Sequence, residues 1–316
     1  MKDTRREEGV RQTGGTGRAN AITEGVIWKQ LLLFFFPILF GTFFQQLYNM
    51  ADTIIVGRYV GADALAAVGS TGTIMFLLTG FSQGITAGFA ILISQRYGAH
   101  DADGVKQAVA NGTLLSVLFT LFLTCSCLFL MKPLLTIMNT PDNIFADAYS
   151  YIMIITAGIV ANIFYNLLSA FLRAVGNSKV PLLFLVFSAA LNVILDLVLI
   201  INFKMGVAGA ALATIISQGV SAILCLVYIY IRMPSLAPNR RHWKLHGQES
   251  RNQLAMGIPM ALQFAITASG TMVMQSAINL FGSTAVAAFT ATGKLQSLLM
   301  QGMIAMGQTM ATYSGQ

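Results

Sequence analysis

The most constraining feature of this sequence is a series of long windows without charged residues. Six windows contain no Asp, Glu, Lys or Arg: 64–95, 108–131, 148–172, 205–231, 252–293 and 295–316. Two more windows, 30–57 and 180–203, each contain a single charge, an Asp. A membrane-spanning helix needs about 20 predominantly apolar residues. The sequence therefore predicts a polytopic membrane protein.

The composition excludes the common soluble classes. Charged residues make up 10% of the chain, whereas soluble domains carry about 25%. The apolar runs are continuous and do not alternate, which excludes a transmembrane β-barrel. The sequence contains no Walker A motif, so we expect no use of ATP. The net charge of +7 is explained by membrane topology, so we expect no nucleic-acid partner.

The windows predict an all-α fold with about eight transmembrane helices. The predicted helices are 28–59, 62–97, 103–131, 142–172, 179–203, 206–231, 250–281 and 283–316. A Phe-Gly-Ser sequence at 281–283 is expected to separate the last two. The second helix is too long for one straight span, and Gly80, Gly84 and Gly88 favour a break or kink in it.

The distribution of basic residues predicts the orientation in the membrane. If the N-terminus is cytoplasmic, 15 of the 19 Lys and Arg residues lie in segments on the cytoplasmic side. The loops on the other side contain only Arg58, Lys132 and Lys204. Such a bias is typical of multi-pass proteins, and we expect a plasma-membrane location with the N-terminus in the cytoplasm. The polar residues 1–27 are expected to be a disordered cytoplasmic tail.

An internal repeat predicts the domain organisation. Residues 61–72 align without gaps with residues 282–293, and six of the twelve positions are identical. Two six-helix units in the same orientation are a known transporter arrangement. The predicted parts are a six-helix lobe at 28–232, a cytoplasmic connecting loop at 233–249 and the start of a second lobe at 250–316. Four more helices would complete the second lobe, so we expect a C-terminally truncated chain.

Two aspartates lie inside predicted membrane helices. An ionisable residue there costs at least about 2.5–3.5 kcal/mol on insertion scales, which makes it a candidate functional residue. Asp52 lies nine residues before the turn at Gly61, and Asp196 lies eight residues before Lys204. Because an α-helix rises 1.5 Å per residue, the two carboxyl groups are predicted at similar depth.

The residues around these aspartates predict a cation- or proton-binding site. Asn192 and Asp196 are spaced i, i+4 and project from one face of the fifth helix. Thr214 is predicted at the same depth on the sixth helix. With Asp52, these side chains offer hard oxygen ligands suited to Na⁺, and burial favours carboxyl groups that exchange protons. A purely structural role in helix packing is the alternative.

Four weaker candidates are predicted to line a substrate cavity: Gln45, Asn49, Tyr151 and Asn166. Gln45 and Asn49 share the helix face of Asp52, because they precede it by seven and three residues. Hydrogen bonding between helices is an equally good interpretation of all four. No organic cofactor is expected.

Several short motifs resemble signatures of the MATE (multidrug and toxic compound extrusion) transporter family. They are Tyr48-Asn-Met-Ala-Asp52-Thr-Ile-Ile-Val-Gly57, Ala64-Leu-Ala-Ala-Val-Gly69, Ser94-Gln95 with Gly98-Ala99, Leu172-Arg-Ala-Val-Gly176-Asn and Asn192-Val-Ile-Leu-Asp196. The resemblance covers about 28–316. It implies a monomeric twelve-helix antiporter, rather than an enzyme, that exports amphipathic, often cationic drugs in exchange for Na⁺ or H⁺.

The resemblance also implies roles for individual residues. The family's acid in helix one, its Asn-x-x-x-Asp in helix five and its Thr in helix six form the ion site, and a Tyr lies in helix four. The matching positions are Asp52, Asn192, Asp196, Thr214 and Tyr151. Leu197 stands where members often have Pro, so a kink after Asp196 is not implied.

Two other functions stay open from the sequence. A lipid-linked oligosaccharide flippase of the same wider fold family would need several cations in its cavity, and Lys294 is the only cation in mid-helix. An intramembrane aspartyl protease would need a G-x-G-D motif, which neither Asp52 nor Asp196 provides.

Overall fold

The computed structural model of the protein describes residues 26–138, 140–279 and 283–315. Within these ranges there are nine α-helices and no β-strand, which confirms the predicted all-α class. The helices are α1 (Ile27–Tyr59), α2 (Ala62–Gly98), α3 (Ala102–Ile137), α4 (Asp142–Ala157), α5 (Ile159–Ala174), α6 (Lys179–Leu197), α7 (Gly206–Arg232), α8 (Gly247–Asn279) and α9 (Ser283–Gly315). The predicted tail lies outside the described residues, apart from positions 26 and 27.

The helices have the dimensions of membrane spans. Among the described residues, six helical segments are long and apolar enough to cross a bilayer: Ile27–Tyr59, Ala62–Gly98, Ala102–Ile137, Lys179–Asn202, Gly206–Arg232 and Gly247–Thr271. The pair α4 and α5 also meets these criteria when taken together, with a bend of 47° between the two helices. Many large apolar side chains on these helices, such as Phe122 and Phe129, are exposed, as expected for surfaces that contact lipid. The chain is a multi-pass membrane protein.

The prediction of a single helix at 142–172 is wrong in one respect, because the structure divides this segment into two helices at Gly158. This residue has φ −94° and ψ 8°, ends α4 and precedes α5. A Cβ atom at Gly158 would overlap the side chain of Ile215 on α7. The bend therefore brings the middle of this span against α7, where only a glycine fits.

The fifth predicted helix continues beyond α6 as a π-helical turn, Val198–Asn202. The turn follows directly after Asp196 and Leu197. π-Helical turns insert an extra residue into a helix and occur often at functional sites. The helix path is thus irregular next to Asp196 without a proline.

Of the break or kink predicted in the second helix, the break is absent, since α2 runs from Ala62 to Gly98 without interruption. A kink stays a prediction. Two of its glycines instead allow close packing against α8. A Cβ atom at Gly84 would lie 2.6 Å from the backbone of Ala261, and one at Gly88 would overlap the backbone of Gly257. Small residues that allow backbones to approach are typical of helix contacts in membranes. The α2–α8 contact is the most extensive helix pair in the described part of the chain.

Candidate functional site

The strongest candidate site lies between α1, α6 and α7. Asp52 on α1, Asn192 and Asp196 on α6, and Thr214 on α7 are all buried, with exposures of 8%, 0%, 0% and 8%. The structure brings together the four residues predicted from depth and spacing. Their role in ion binding stays a prediction.

The carboxyl groups of Asp52 and Asp196 lie close enough to interact directly with each other. One oxygen of each group, Asp52 Oδ1 and Asp196 Oδ1, is buried without a hydrogen-bond partner. Two negative charges this close repel strongly in a medium of low dielectric constant. The pair is therefore suited to share a proton or to hold a cation between its oxygens.

Asn192 and Thr214 complete the polar cluster. When the Asn192 amide is oriented to satisfy its neighbours, its Nδ2 donates to Asp196 Oδ2 at 3.0 Å and its Oδ1 accepts from Thr214 N at 3.2 Å. This orientation is chosen from the hydrogen-bond network, as is usual for amide side chains. The Asn192 amide thus fixes the rotamer of Asp196 and ties α6 to α7.

Tyr48 is part of the cluster, although sequence reasoning gave it no role. It lies one helical turn before Asp52 on α1, and its hydroxyl donates to Thr214 Oγ1 at 3.1 Å. The i, i+4 spacing of Tyr48 and Asp52 could have indicated this role, because it places both side chains on one helix face. Tyr48 therefore links α1 to α7 next to the two carboxyl groups.

Tyr151 on α4 lies beside the same cluster. It is buried at 5% exposure and packs with apolar residues of α1 and α7, including Ile55 and Val207. Its phenol is close enough to Asp52 and Asp196 to interact with both electrostatically. The structure therefore groups Tyr151 with the carboxyl pair.

Gln45 lies one turn before Tyr48, at a small cavity of about 10 Å³. The cavity is lined by Gln45, Tyr48, Tyr165, Leu185, Ser188, Ala189 and Gln218. A volume of this size holds about one water molecule. Gln45 is thus near the carboxyl pair without touching it.

The other two weak candidates lie apart from the carboxyl pair. Asn49 is exposed, and its amide donates to Gln46 Oε1 at 3.3 Å. Asn166 donates to the carbonyl and the side-chain oxygen of Asn162, one turn earlier on α5, at 2.9 and 3.1 Å. Neither residue contacts the cluster in the structure, and a role in a substrate cavity stays a prediction.

The described residues contain no group of three or more His, Cys, Asp or Glu side chains suited to a metal ion. The cluster around Asp52 and Asp196 is not such a group because it contains only two carboxyl groups. Its other polar atoms belong to amide and hydroxyl groups, whose oxygens are hard ligands. Side chains at Lys294 and in the second copy of the repeat, 282–293, lie outside those the structure describes.

Comparisons with known proteins identify related sequences. The MatE family model matches residues 37–198. The probable multidrug resistance protein YpnP of Bacillus subtilis (strain 168) is 32% identical over 301 residues, which cover 95% of this chain and 67% of that protein. The probable multidrug resistance protein YoeA of the same organism is 29% identical over 299 residues, covering 92% and 64%. The chain thus spans about two thirds of the length of these relatives.

Solved structures show the same fold. A MOP superfamily transporter from Pyrococcus furiosus superposes with a TM-score of 0.88 at 24% identity, over 95% of this chain and 67% of that chain. An outward-facing multidrug resistance MATE family transporter of the MOP superfamily gives a TM-score of 0.87 at 23% identity, with the same coverage. At these identities the likeness concerns the fold alone.

Proposed function

The chain belongs to the MATE family, and we propose that its protein is a secondary active antiporter. It exports amphipathic, often cationic drugs or toxic compounds in exchange for Na⁺ or H⁺, without ATP. The observation that carries the proposal is the buried pair of Asp52 and Asp196, each with an unpaired oxygen. The names of the relatives, probable multidrug resistance proteins, support the substrate class.

In this proposal, the carboxyl pair exchanges its ion or proton between the two sides of the membrane. A bound Na⁺ is held by Asp52 and Asp196, with Thr214 as a neighbouring oxygen ligand and Asn192 fixing the Asp196 carboxyl group. A proton is held between the two carboxyl oxygens instead. Either one removes the repulsion between the charges, so occupancy changes the packing of α1 against α6 and α7.

The wider arrangement belongs to the same proposal. Residues 28–232 form the first lobe, 233–249 the cytoplasmic connection and 250–316 the start of the second lobe. The protein lies in the plasma membrane as a monomer with a cytoplasmic N-terminus, and alternating access moves substrate between the lobes. Binding of the ion lowers the affinity for the substrate, because the two ligands favour different conformations of the lobes.

The test is ethidium export by the natural gene product that carries this sequence, measured as ethidium uptake into everted vesicles with an imposed Na⁺ or pH gradient. We expect one of the gradients to drive efflux, and Asp52→Asn to reduce the driven rate at least about tenfold, since the charge that holds the ion is lost. Asp63→Asn is the control, because Asp63 is an exposed acid at the start of α2. Normal gradient-driven efflux by Asp52→Asn would refute the coupling role.

A further inference from the structure

The segment that joins α7 to α8 is held in place by specific contacts. Residues 239–246, here called the connector, begin with a 3-10 turn at Arg240–His242. The His242 ring is buried at 4% exposure, and its Nδ1 accepts from the backbone N of Asn239 at 3.0 Å. Its Nε2 lies 3.1 Å from Asp103 Oδ1 at the start of α3, and Arg241 forms an ion pair with the same carboxylate.

The connector then runs along the first turns of α3. The backbone N of His246 donates to Asn111 Oδ1 at 3.1 Å. Asp103 and Asn111 are eight residues apart, about 12 Å along a helix, and His242 and His246 contact these two residues. Trp243, Lys244 and Leu245 therefore lie at the depth where α3 enters the membrane.

The side chains that the connector exposes are of two kinds. Trp243 is 40% exposed and Leu245 is 52% exposed, and Arg240 and Lys244 are exposed between or beside them. Trp is enriched at the boundary between lipid and water. Exposed apolar side chains next to basic ones are typical of segments that lie in the interface of an anionic membrane.

The acids near the connector are already engaged. Asp101 and Glu249 pair with Arg96, and Asp103 pairs with Arg241 and His242. In the part of the chain that the structure describes, none of the ion pairs includes Arg240, Lys244 or Arg251. Three cations on this face are therefore available to an external anion.

An apolar groove begins where the connector ends. It is a shallow, open depression of about 590 Å³ along one helix, lined by Gly247, Ser250, Arg251, Leu254, Ala255, Ile258 and Pro259 on α8. Gly247 is two residues after Leu245, so the two surfaces adjoin along the chain. Arg251, near the start of α8, places a positive charge at the end of the groove that adjoins the connector. The apolar residues follow along α8 toward the membrane interior.

We propose that the connector and this groove bind an anionic phospholipid of the leaflet on this side of the membrane. The headgroup phosphate contacts Arg240, Lys244 and Arg251, Trp243 and Leu245 lie in the interface, and an acyl chain occupies the groove. Basic residues next to a membrane attract anionic lipids, and the attraction decreases within a Debye length. This site is separate from the carboxyl pair, and its test does not depend on transport.

Trp243 provides a direct measurement, because the chain has only two tryptophans. In a Trp28→Phe background, the fluorescence of Trp243 reports only its own surroundings. The protein is placed in phosphatidylcholine vesicles with equal mole fractions of brominated phosphatidylglycerol or brominated phosphatidylcholine. We expect at least about twofold stronger quenching by the anionic lipid and a smaller preference at high salt.

A matched pair of triple variants tests the cations. Arg240→Gln, Lys244→Gln and Arg251→Gln together should remove the preference for the anionic lipid. Arg58→Gln, Lys132→Gln and Lys204→Gln remove the same charge from the opposite face and should preserve it. Circular dichroism establishes that both variants are folded.

Three results would overturn the proposal. Equal quenching by the two brominated lipids would show no selectivity for anionic headgroups. Absence of quenching by either lipid would show that Trp243 is not in the interface, as when a protein segment covers the groove. An unchanged preference in the folded variant of Arg240, Lys244 and Arg251 would show that these cations do not select the lipid.

Discussion

Two buried polar networks among the described residues differ in their pairing, since one is fully paired and the other is not. The paired network joins α3 to α8. Asn111 Nδ2 donates to Gln253 Oε1 at 2.9 Å, and Gln253 Nε2 donates to the carbonyl of Ala108 at 2.8 Å. Asn111 Oδ1 accepts from His246 N and from Ser250 Oγ, each at 3.1 Å.

The second network, around Asp52 and Asp196, leaves one oxygen of each carboxyl group without a hydrogen-bond partner. A buried polar group without a partner costs about 1–3 kcal/mol, and more when it is charged. We therefore expect the network of Asn111 to stabilise the fold, and we propose that the carboxyl pair gains stability when it binds a proton or a cation. Both networks are buried and polar. They differ in whether every side-chain oxygen and nitrogen has a hydrogen-bond partner.

The largest expected effect tests the incomplete network. Asp196→Asn removes one of two repelling charges, so we expect no loss of stability without ligand and complete loss of stabilisation by Na⁺ or by protons. A ligand at 100 times its Kd stabilises a protein by about 2.7 kcal/mol. Melting temperatures of the purified chain, across Na⁺ concentration and pH, measure this increment.

The control for that measurement is Asp147→Asn, which neutralises an exposed acid on α4 and should keep the full increment. If Asp196→Asn also kept it, the carboxyl pair would not be the ion site, and the contrast between the two networks would lose its functional meaning.

The next effect tests the complete network. Asn111→Leu leaves Gln253, His246 N and Ser250 without their partner, so we expect a loss of about 1–3 kcal/mol in the free energy of unfolding. The double variant with Gln253→Leu should cost less than the sum of the two single changes, because it removes both sides of one hydrogen bond. Reversible unfolding in mixed micelles measures all three. Gln248→Leu is the control, because Gln248 is an exposed side chain on α8 and its replacement should change the free energy of unfolding little. A loss equal to that of Asn111→Leu would contradict the stabilising role of the Asn111 network.

A third prediction concerns the packing beside the complete network. Gly84→Ala places a methyl group 2.6 Å from the Ala261 backbone, so we expect α2 and α8 to separate at a cost of about 1–3 kcal/mol. Gly72→Ala is the control on the same helix, where no atom lies within 4 Å of the added Cβ. It should stabilise the helix by up to about 1 kcal/mol. Equal effects of the two changes on the melting temperature would show that the contact is looser than described.

The smallest effect is expected at the edge of the incomplete network. Tyr48→Phe removes one hydrogen bond to Thr214, worth about 0.5–1.5 kcal/mol, so the affinity for the ion should fall only about two- to tenfold. Isothermal titration measures the affinity, and Tyr59→Phe, at an exposed tyrosine, is the control. A loss as complete as that of Asp196→Asn would mean that the Tyr48 hydroxyl binds the ion directly.

The carboxyl pair was predictable because helical geometry converts sequence distance into depth. Asp52 and Asp196 were placed at one depth by counting residues, and Asn192 was placed beside Asp196 by its i, i+4 spacing. The same face argument is weaker for Asn49, which precedes Asp52 by only three residues, and its place in a substrate cavity stays a prediction. That spacing leaves an angular offset, and Asn49 is exposed while Asp52 is buried.

Features that depend on a neighbouring helix were not predictable. The bend at Gly158 needs the side chain of Ile215, which is distant in sequence, and nothing in the sequence of 198–202 indicates a π-helical turn. The glycines of α2 carried a readable signal, since Gly80, Gly84 and Gly88 repeat every four residues. That spacing is typical of a helix-packing face, and the break that these glycines also allow is absent.

The close contact of α2 with α8 limits how sequences of this kind can change. Gly84 and Gly88 face main-chain atoms of Ala261 and Gly257, so no side chain on the opposite helix can be shortened to make room. A larger residue at Gly84 cannot be rescued by a smaller one at position 261, because the atoms in the way belong to the backbone. Second-site suppressors of such a change must therefore act by moving a helix, and a genetic selection should recover them away from this contact.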